Sequence, residues 1–479
     1  MKNLTLAIGA GCMVGLLAAS APAQSGTAGT DSPSLASASQ YQAGYAYADA
    51  PTAPAVAGDS QTPPPPPDKA YGDQGAKKDE AKKDEAKKDE AAPAAAPAEE
   101  AKPDEPKPWT LPQPCILSEH NIKLDGWLEQ GANFNFHGTQ WNGVVPFDDE
   151  SGYQMNQLWF FLDRATDTSK CDWDWGGHVD VCFGTDPRFF KDVVGLEADW
   201  DETGYYQLAI PNMYFDLAHD DWVFRFGHFQ TLLSYEVIQA PQNFFYSHSY
   251  EFSYAVPFTH TGALAIKKFG ENKEWSWTAG ITEGNDVFDN GTANFLGGVA
   301  YTQKDGKSSL AFNITTGDSR SAGPDEYQTI YSLVATKKLN DKDAGNGQLK
   351  YVIEHDLGTQ TGPIAGEWYG ICNYLLYDIN KCWSAGMRAE WFRDNNGIRV
   401  ADPYAPSPVS AINGGSFAGN FYEITWGLNW KPNLNVTIRP ELRYDWYQGP
   451  ASPTTGILPY GNGNHVDQGM AACDAIVTF

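Results

Sequence analysis

From Cys115 to Phe479, apolar and polar residues alternate with a period of two. This is the spacing of β-strands whose two faces meet different surroundings. In the first such stretch Ile122, Leu124, Gly126, Leu128, Ala132, Phe134 and Phe136 share one face; Lys123, Asp125, Glu129, Asn133 and Asn135 share the other. Trp173, Trp175, Val179, Val181 and Phe183 alternate with Asp174, His178, Asp180 and Cys182. From Leu434 to Trp446, Leu434, Val436, Ile438, Leu442, Tyr444 and Trp446 alternate with Asn435, Thr437, Arg439, Glu441, Arg443 and Asp445. A soluble β-sandwich alternates as well, so this pattern alone establishes only an all-β fold.

The connections narrow the choice. Short turns such as His219-Asp220-Asp221, Glu271-Asn272-Lys273, Asp305-Gly306-Lys307 and Asn380-Lys381 take strict turns with long loops such as His137 to Gly152, Gly184 to Gly204, Gln230 to Thr259 and Asn395 to Ala418. Transmembrane barrels sort their loops this way, with tight turns on one side of the membrane and long loops on the other. Placing strands between these connections predicts a closed antiparallel transmembrane β-barrel of about sixteen strands, an even number as bacterial barrels require.

The first hundred residues have another texture. Lys2, the apolar run Leu4 to Ala19 and the small residues Ala21 and Ala23 predict a cleaved signal peptide over residues 1–23. Residues 24–114 are rich in Ala, Pro, Ser and Gly, with Pro63 to Pro67 unbroken and Ala-Lys-Lys-Asp-Glu repeated three times from Ala76. Such a composition cannot bury a core and predicts a disordered periplasmic tether, with cell-wall contact one of its possible uses. The barrel then spans 115–479, in the bacterial outer membrane. No later stretch offers the 18 or so uninterrupted apolar residues of a membrane helix, as expected if strands do the crossing. Aromatic residues make up 13% of the chain, fitting either interfacial girdles or a secreted carbohydrate-binding protein.

Charge and chemistry bound the function. Of 33 basic and 60 acidic residues, 10 and 15 precede Trp109, which leaves 23 and 45 and a net of −22 in the remainder. That disfavours nucleic acid. Six cysteines follow the signal, and in an exported chain they permit disulfides in fifteen pairings. No cysteine or histidine cluster has zinc spacing, and no nucleophile elbow or metalloprotease helix is present. No enzyme activity, cofactor or metal is therefore expected. The expected partners are outer-membrane lipid, small hydrophilic solutes or ions, the barrel-assembly machinery and, in one option, further copies of the chain. The terminal aromatic Phe479 closes an alternating strand with Val477, Ala475 and Cys473 and predicts an assembly signal.

Several segments carry a family likeness: Gly227-His228-Phe229, Tyr235-Glu236-Val237, Asn243-Phe244-Phe245-Tyr246-Ser247-His248-Ser249, Pro257-Phe258-Thr259-His260-Thr261-Gly262 and Arg388-Ala389-Glu390-Trp391-Phe392-Arg393-Asp394. In these, the chain from about Ile116 onward resembles the OmpL-like β-barrel porin family. The resemblance implies an outer-membrane barrel with a porin role and carries no catalytic residues.

Candidate site residues follow from strand order. Arg225 falls on the fifth strand and Arg388 on the thirteenth, half a ring away; Arg439 and Arg443 fall on the fifteenth. The loop Gln230 to Thr259 holds eight aromatic residues with Glu236 and Glu251. Folded inward, it would set these carboxylates against the arginines in a constriction. Asp174, His178, Asp180, Glu390, Glu441 and Asp445 are expected to line a wet lumen, where the arginines could instead pair along their own walls. The leading reading is a passive-diffusion porin preferring cations. A soluble carbohydrate-binding β-protein and a mainly structural envelope tether are the alternatives.

Overall fold

Lipid outside and water inside are what alternation asks of a strand, and the computed structural model answers with 17 strand segments in one sheet. It describes residues 107–479 except 146, 148–149, 170, 198–199, 201–203, 290, 319–325, 341–346 and 401–415. The expected signal peptide and most of the expected tether lie outside the described residues. The strands are β1 Lys123–Asn135, β2 Gly152–Arg164, β3 Trp173–Gly184, β4 Gln207–Ala209, β5 Met213–His219, β6 Trp222–Gln230, β7 Thr259–Phe269, β8 Trp275–Thr282, β9 Asn294–Thr302, β10 Ser308–Asp318, β11 Tyr327–Lys338, β12 Gln348–Thr361, β13 Gly366–Asp378, β14 Trp383–Asp394, β15 Gly419–Trp430, β16 Val436–Gln448 and β17 Asp467–Thr478.

All pairings are antiparallel, and β17 returns to β1, so the sheet has no edge. β4 and β5 both pair with β3 and form one stave broken at 210–212. The ring therefore has 16 staves. Trp175, Phe215, Trp277, Phe312, Leu375 and Trp426 stand exposed on the outer face, while Glu354, Glu390, Glu423 and Asp445 are buried on the inner one. A charge turned to the lipid face would cost about 2–4 kcal/mol at mid-membrane, and this cost holds the register.

Short turns gather at the end that holds Phe479, and long loops at the other. The strict alternation of short and long fails at two places. β12 and β13 join through residues 362–365 at the long-loop end, and β11 and β12 through 339–347 at the other. β12 and β13, with 14 and 13 residues, carry their ladder far enough that a tight turn closes it.

Three long loops fold into the barrel. Phe147 of the first stacks on Phe189 of the second at 4.6 Å and lies 5.4 Å from Phe252 of the third. Around them Trp127 and Trp159 stack at 4.7 Å, and Leu233, Ile238, Val256 and Phe258 are buried. Part of the lumen thus holds an apolar core.

At the seam, Phe479 N–H donates to the Gly126 carbonyl at 2.9 Å, and Gly126 N–H donates back at 3.0 Å. A Cβ at Gly126 would sit 2.2 Å from the Trp159 carbonyl oxygen, so only glycine fits there. The Phe479 ring packs 5.5 Å from Phe160 and 6.0 Å from Trp109. Asn435 clasps Trp109, accepting from its N–H at 2.8 Å and donating to its carbonyl at 2.7 Å. Deleting Phe479 should cost on the order of 3 kcal/mol, from two hydrogen bonds and one ring. The heat-modifiable folded band on a gel should then convert at a lower temperature. An unchanged conversion temperature would contradict this seam.

Candidate functional site

The third loop, residues 231–258, crosses the inner face of β12 to β17. An irregular chain buried there must find partners for its own N–H and C=O groups. The wall supplies them through charged side chains at alternate positions. Arg439 donates to the carbonyls of Ala240, Asn243 and Phe245 at 2.9–3.0 Å. Glu441 accepts from Tyr246 N–H at 2.9 Å and Ser247 N–H at 3.2 Å. Arg388 donates to the Ser247 carbonyl at 2.7 Å, and Arg443 to that of His248. Glu390 accepts from the N–H groups of Tyr250 and Glu251 at 2.6 and 2.5 Å. Asp445 takes the Tyr250 hydroxyl at 2.8 Å.

Each arginine is neutralised as it binds. Arg388 contacts Glu423 at 2.6 Å on its own wall and Glu236 of the loop at 2.8 Å. Arg439 contacts Asp474 at 2.7 Å and Glu129 at 2.8 Å, and Arg443 contacts Asp445 at 2.8 Å. Guanidinium forks suit this task, since one group reaches a carboxylate and a carbonyl together. Glu236 also accepts from His248 Nδ1 at 2.9 Å, Ser249 N–H at 3.1 Å and the Tyr374 hydroxyl at 3.0 Å. Burial alone would raise its pKa. The Arg388 charge and the His248 and Ser249 hydrogen bonds outweigh burial and hold it at about 2.

The expected residues divide. Glu236 meets Arg388, as the inward-folded loop predicts. Glu251 meets no arginine; its Oε1 accepts from Asp356 N–H at 3.1 Å, beside Glu390. Burial, then the charges of Asp356, Glu354 and Glu390, push its pKa up. Arg225 does not join the group. It binds Asp216 on neighbouring β5 at 2.9 Å and lies 3.6 Å over the Tyr214 ring. Glu236, Glu251, Arg388, Arg439 and Arg443 are all buried, so they hold the loop rather than face open water. Glu390, Glu441 and Asp445 are equally sealed, not wet lining. On β3, His178 bridges Asp163 and Asp180 at 2.9 and 2.7 Å, while Asp174 stands apart on Arg164 at 3.1 Å. The six cysteines are free thiols; Cys182 and Cys372 are buried.

Glu129, Tyr374, Glu423 and Asp474 were missed. All four lie on inward parity, Glu423 between Phe421 and Thr425, so alternation marks them as lumen positions. It does not say which arginine each meets.

A family model described as "Putative beta-barrel porin-2, OmpL-like" matches residues 121–479, the whole of the barrel. The chain belongs to that family. Among solved structures this porin is similar to the anion-selective porin from Comamonas acidovorans, with a TM-score of 0.50 at 10% identity over 75% of this chain and 99% of that one. Others are OprB of Pseudomonas putida at high pH (0.49, 12%, 76% and 96%) and the outer membrane channel DcaP of Acinetobacter baumannii (0.46, 10%, 75% and 97%). At such identities the likeness is one of fold. No curated protein matches the sequence significantly. The fold and family make the chain an outer-membrane porin by type, and its β-barrel fold is that of the expected porin class.

Removing Arg388 strands Glu236 and Glu423 in a dry site, a loss of about 3–5 kcal/mol by analogy with other buried pairs. In Arg388→Ala, the amides of residues 244–256 should exchange with deuterium much faster than in wild type. Arg388→Lys should restore little, since an ammonium cannot fork. Unchanged exchange in Arg388→Ala would refute the clamp. An acid whose pKa falls on folding stabilises above its unfolded value, here 4.5, and loses that contribution as pH drops through its folded value, here about 2. Loop protection, corrected for intrinsic rates, should therefore persist at pH 4.

Proposed function

We propose that this porin passes small hydrophilic solutes and ions by passive diffusion and prefers cations. The observation that carries this reading is the loop bound against one side of the inner wall. It occupies part of the lumen, bonded to β12, β14 and β16 along most of its path and to Asn156 and Gln157 of β2 through Tyr246, Ile238 and Ala240. A loop so placed narrows a water-filled pore without closing the ring. Cation preference rests on the net of −22 after Trp109 and on carboxylates at the long-loop end, such as Glu150 and exposed Asp289. Such charges raise the local cation concentration at a mouth between low-dielectric walls. Glu236 and Glu251 are sealed within the clamp, so selectivity falls to the mouth. Trp109, clasped beside Phe479, lies at the short-turn end, which suits a periplasmic tether. Phe479, closing the last strand at the same end, suits an assembly signal.

Reversal potential across a salt gradient in a planar bilayer tests the preference. The wild type should prefer cations, and Glu150→Lys with Asp289→Lys should weaken that preference. An anion-selective wild type, or a double variant with unchanged reversal potential, would overturn the reading.

A further inference from the structure

Beneath the turn of helix at Glu251–Ala255, four buried carboxylates gather. Glu354 and Asp356 lie on the inner face of β12, Glu390 on that of β14, and Glu251 descends from the loop. Cys372 of β13 sits between them: it is the register partner of both Glu354 and Glu390. All five are buried. Among the described residues none of the four carboxylates is in an ion pair; Arg388, the neighbouring guanidinium, is taken by Glu236 and Glu423.

The free oxygens are what point to a ligand. Glu251 Oε2, Glu354 Oε2 and both Asp356 carboxylate oxygens are buried without a hydrogen-bond partner. Protonation would not satisfy Asp356: one oxygen would become an O–H, and the other would still lack a donor. A cation bound to several oxygens at once would. One donor atom each from Glu251, Cys372 and Glu390 lies within 4.8 Å of the others. The Glu251 and Glu390 oxygens of that trio therefore lie within the span of one calcium ion, whose opposed oxygens stand about 4.6–5.2 Å apart, twice the usual bond length.

We infer that this cluster is a divalent-cation site, filled by calcium, that pins the third loop to β12–β14. Calcium fits better than its rivals. The donors are hard carboxylate oxygens, Asp356 offers both of its own, and the loop supplies a ligand from a flexible segment. Magnesium demands a tighter octahedron and keeps its water, which a dry site does not offer. Zinc would take the thiol but leave most of the oxygens unused. The ion would offset charge that otherwise makes burial very costly.

The test uses the folded full-length protein in detergent, stripped with chelator and titrated with calcium alone. Weak binding to exposed carboxylates gives a background, so Glu119→Gln, at an exposed position outside the cluster, serves as a control. Wild type and Glu119→Gln should each bind one calcium far more tightly than the background, and magnesium at least tenfold more weakly. Glu354→Gln with Asp356→Asn should lose that ion. Should that variant fail to fold, wild type decides. Chelation should speed deuterium exchange at amides 249–256, and calcium should restore it. The inference is overturned if wild type shows no tight stoichiometric calcium and its exchange ignores chelator. It is equally overturned if the double variant keeps the ion, or if only zinc binds tightly.

Discussion

Every backbone N–H and C=O in a lipid-embedded wall needs a partner within the protein, and the rest of this structure follows from that requirement. A ring of strands meets it without leaving an edge. The seam between β17 and β1 is where it is met last, and the final residue takes part, Phe479 exchanging two hydrogen bonds with Gly126. Once the ring is closed, the outer parity must be apolar, while the inner parity is free to carry charge.

The same requirement recurs inside the lumen. A loop that leaves the rim and runs down the inner wall has no ladder to join, so its carbonyls and amides turn to side chains. Arg439, Arg388 and Arg443 take carbonyls; Glu441 and Glu390 take amides. Alternation puts these five side chains on inward positions of β14 and β16 at two-residue spacing, which roughly matches the rise of an extended loop segment. The charges on this wall are therefore spent on holding backbone. This separates two roles that porin charges can have, shaping the passage and selecting ions. Here the arginine row holds the loop, and in the proposed reading ion selection falls to charges nearer open water.

Much of this was legible in the sequence, and the failures have physical causes. Strand order was readable because lipid enforces parity strictly: Arg225, Arg388 and Arg443 lie on the fifth, thirteenth and fifteenth staves as expected. The inward fold of the third loop was readable from its aromatics, which needed something to pack on. Contact partners were not readable. Arg225 meets Asp216 through a pairing register that alternation does not encode. Glu251 reaches the carboxylates of β12 and β14 rather than an arginine, because its place depends on the whole path of the loop. The apolar core around Phe147 was hidden for the same reason: its members come from three loops far apart in the chain. The tight hairpin between β12 and β13 breaks a rule about loop length because two long strands do the loop's work.

The central claim is that a buried row of arginines holds the third loop against the wall and so sets the width of the pore. Single-channel recording of Arg439→Met with Arg443→Met, beside wild type, tests it most directly. The wild type should open at one steady conductance. The double variant should conduct more and fluctuate between levels, because the loop would leave the wall and return to it. The same steady conductance in both proteins would contradict the account.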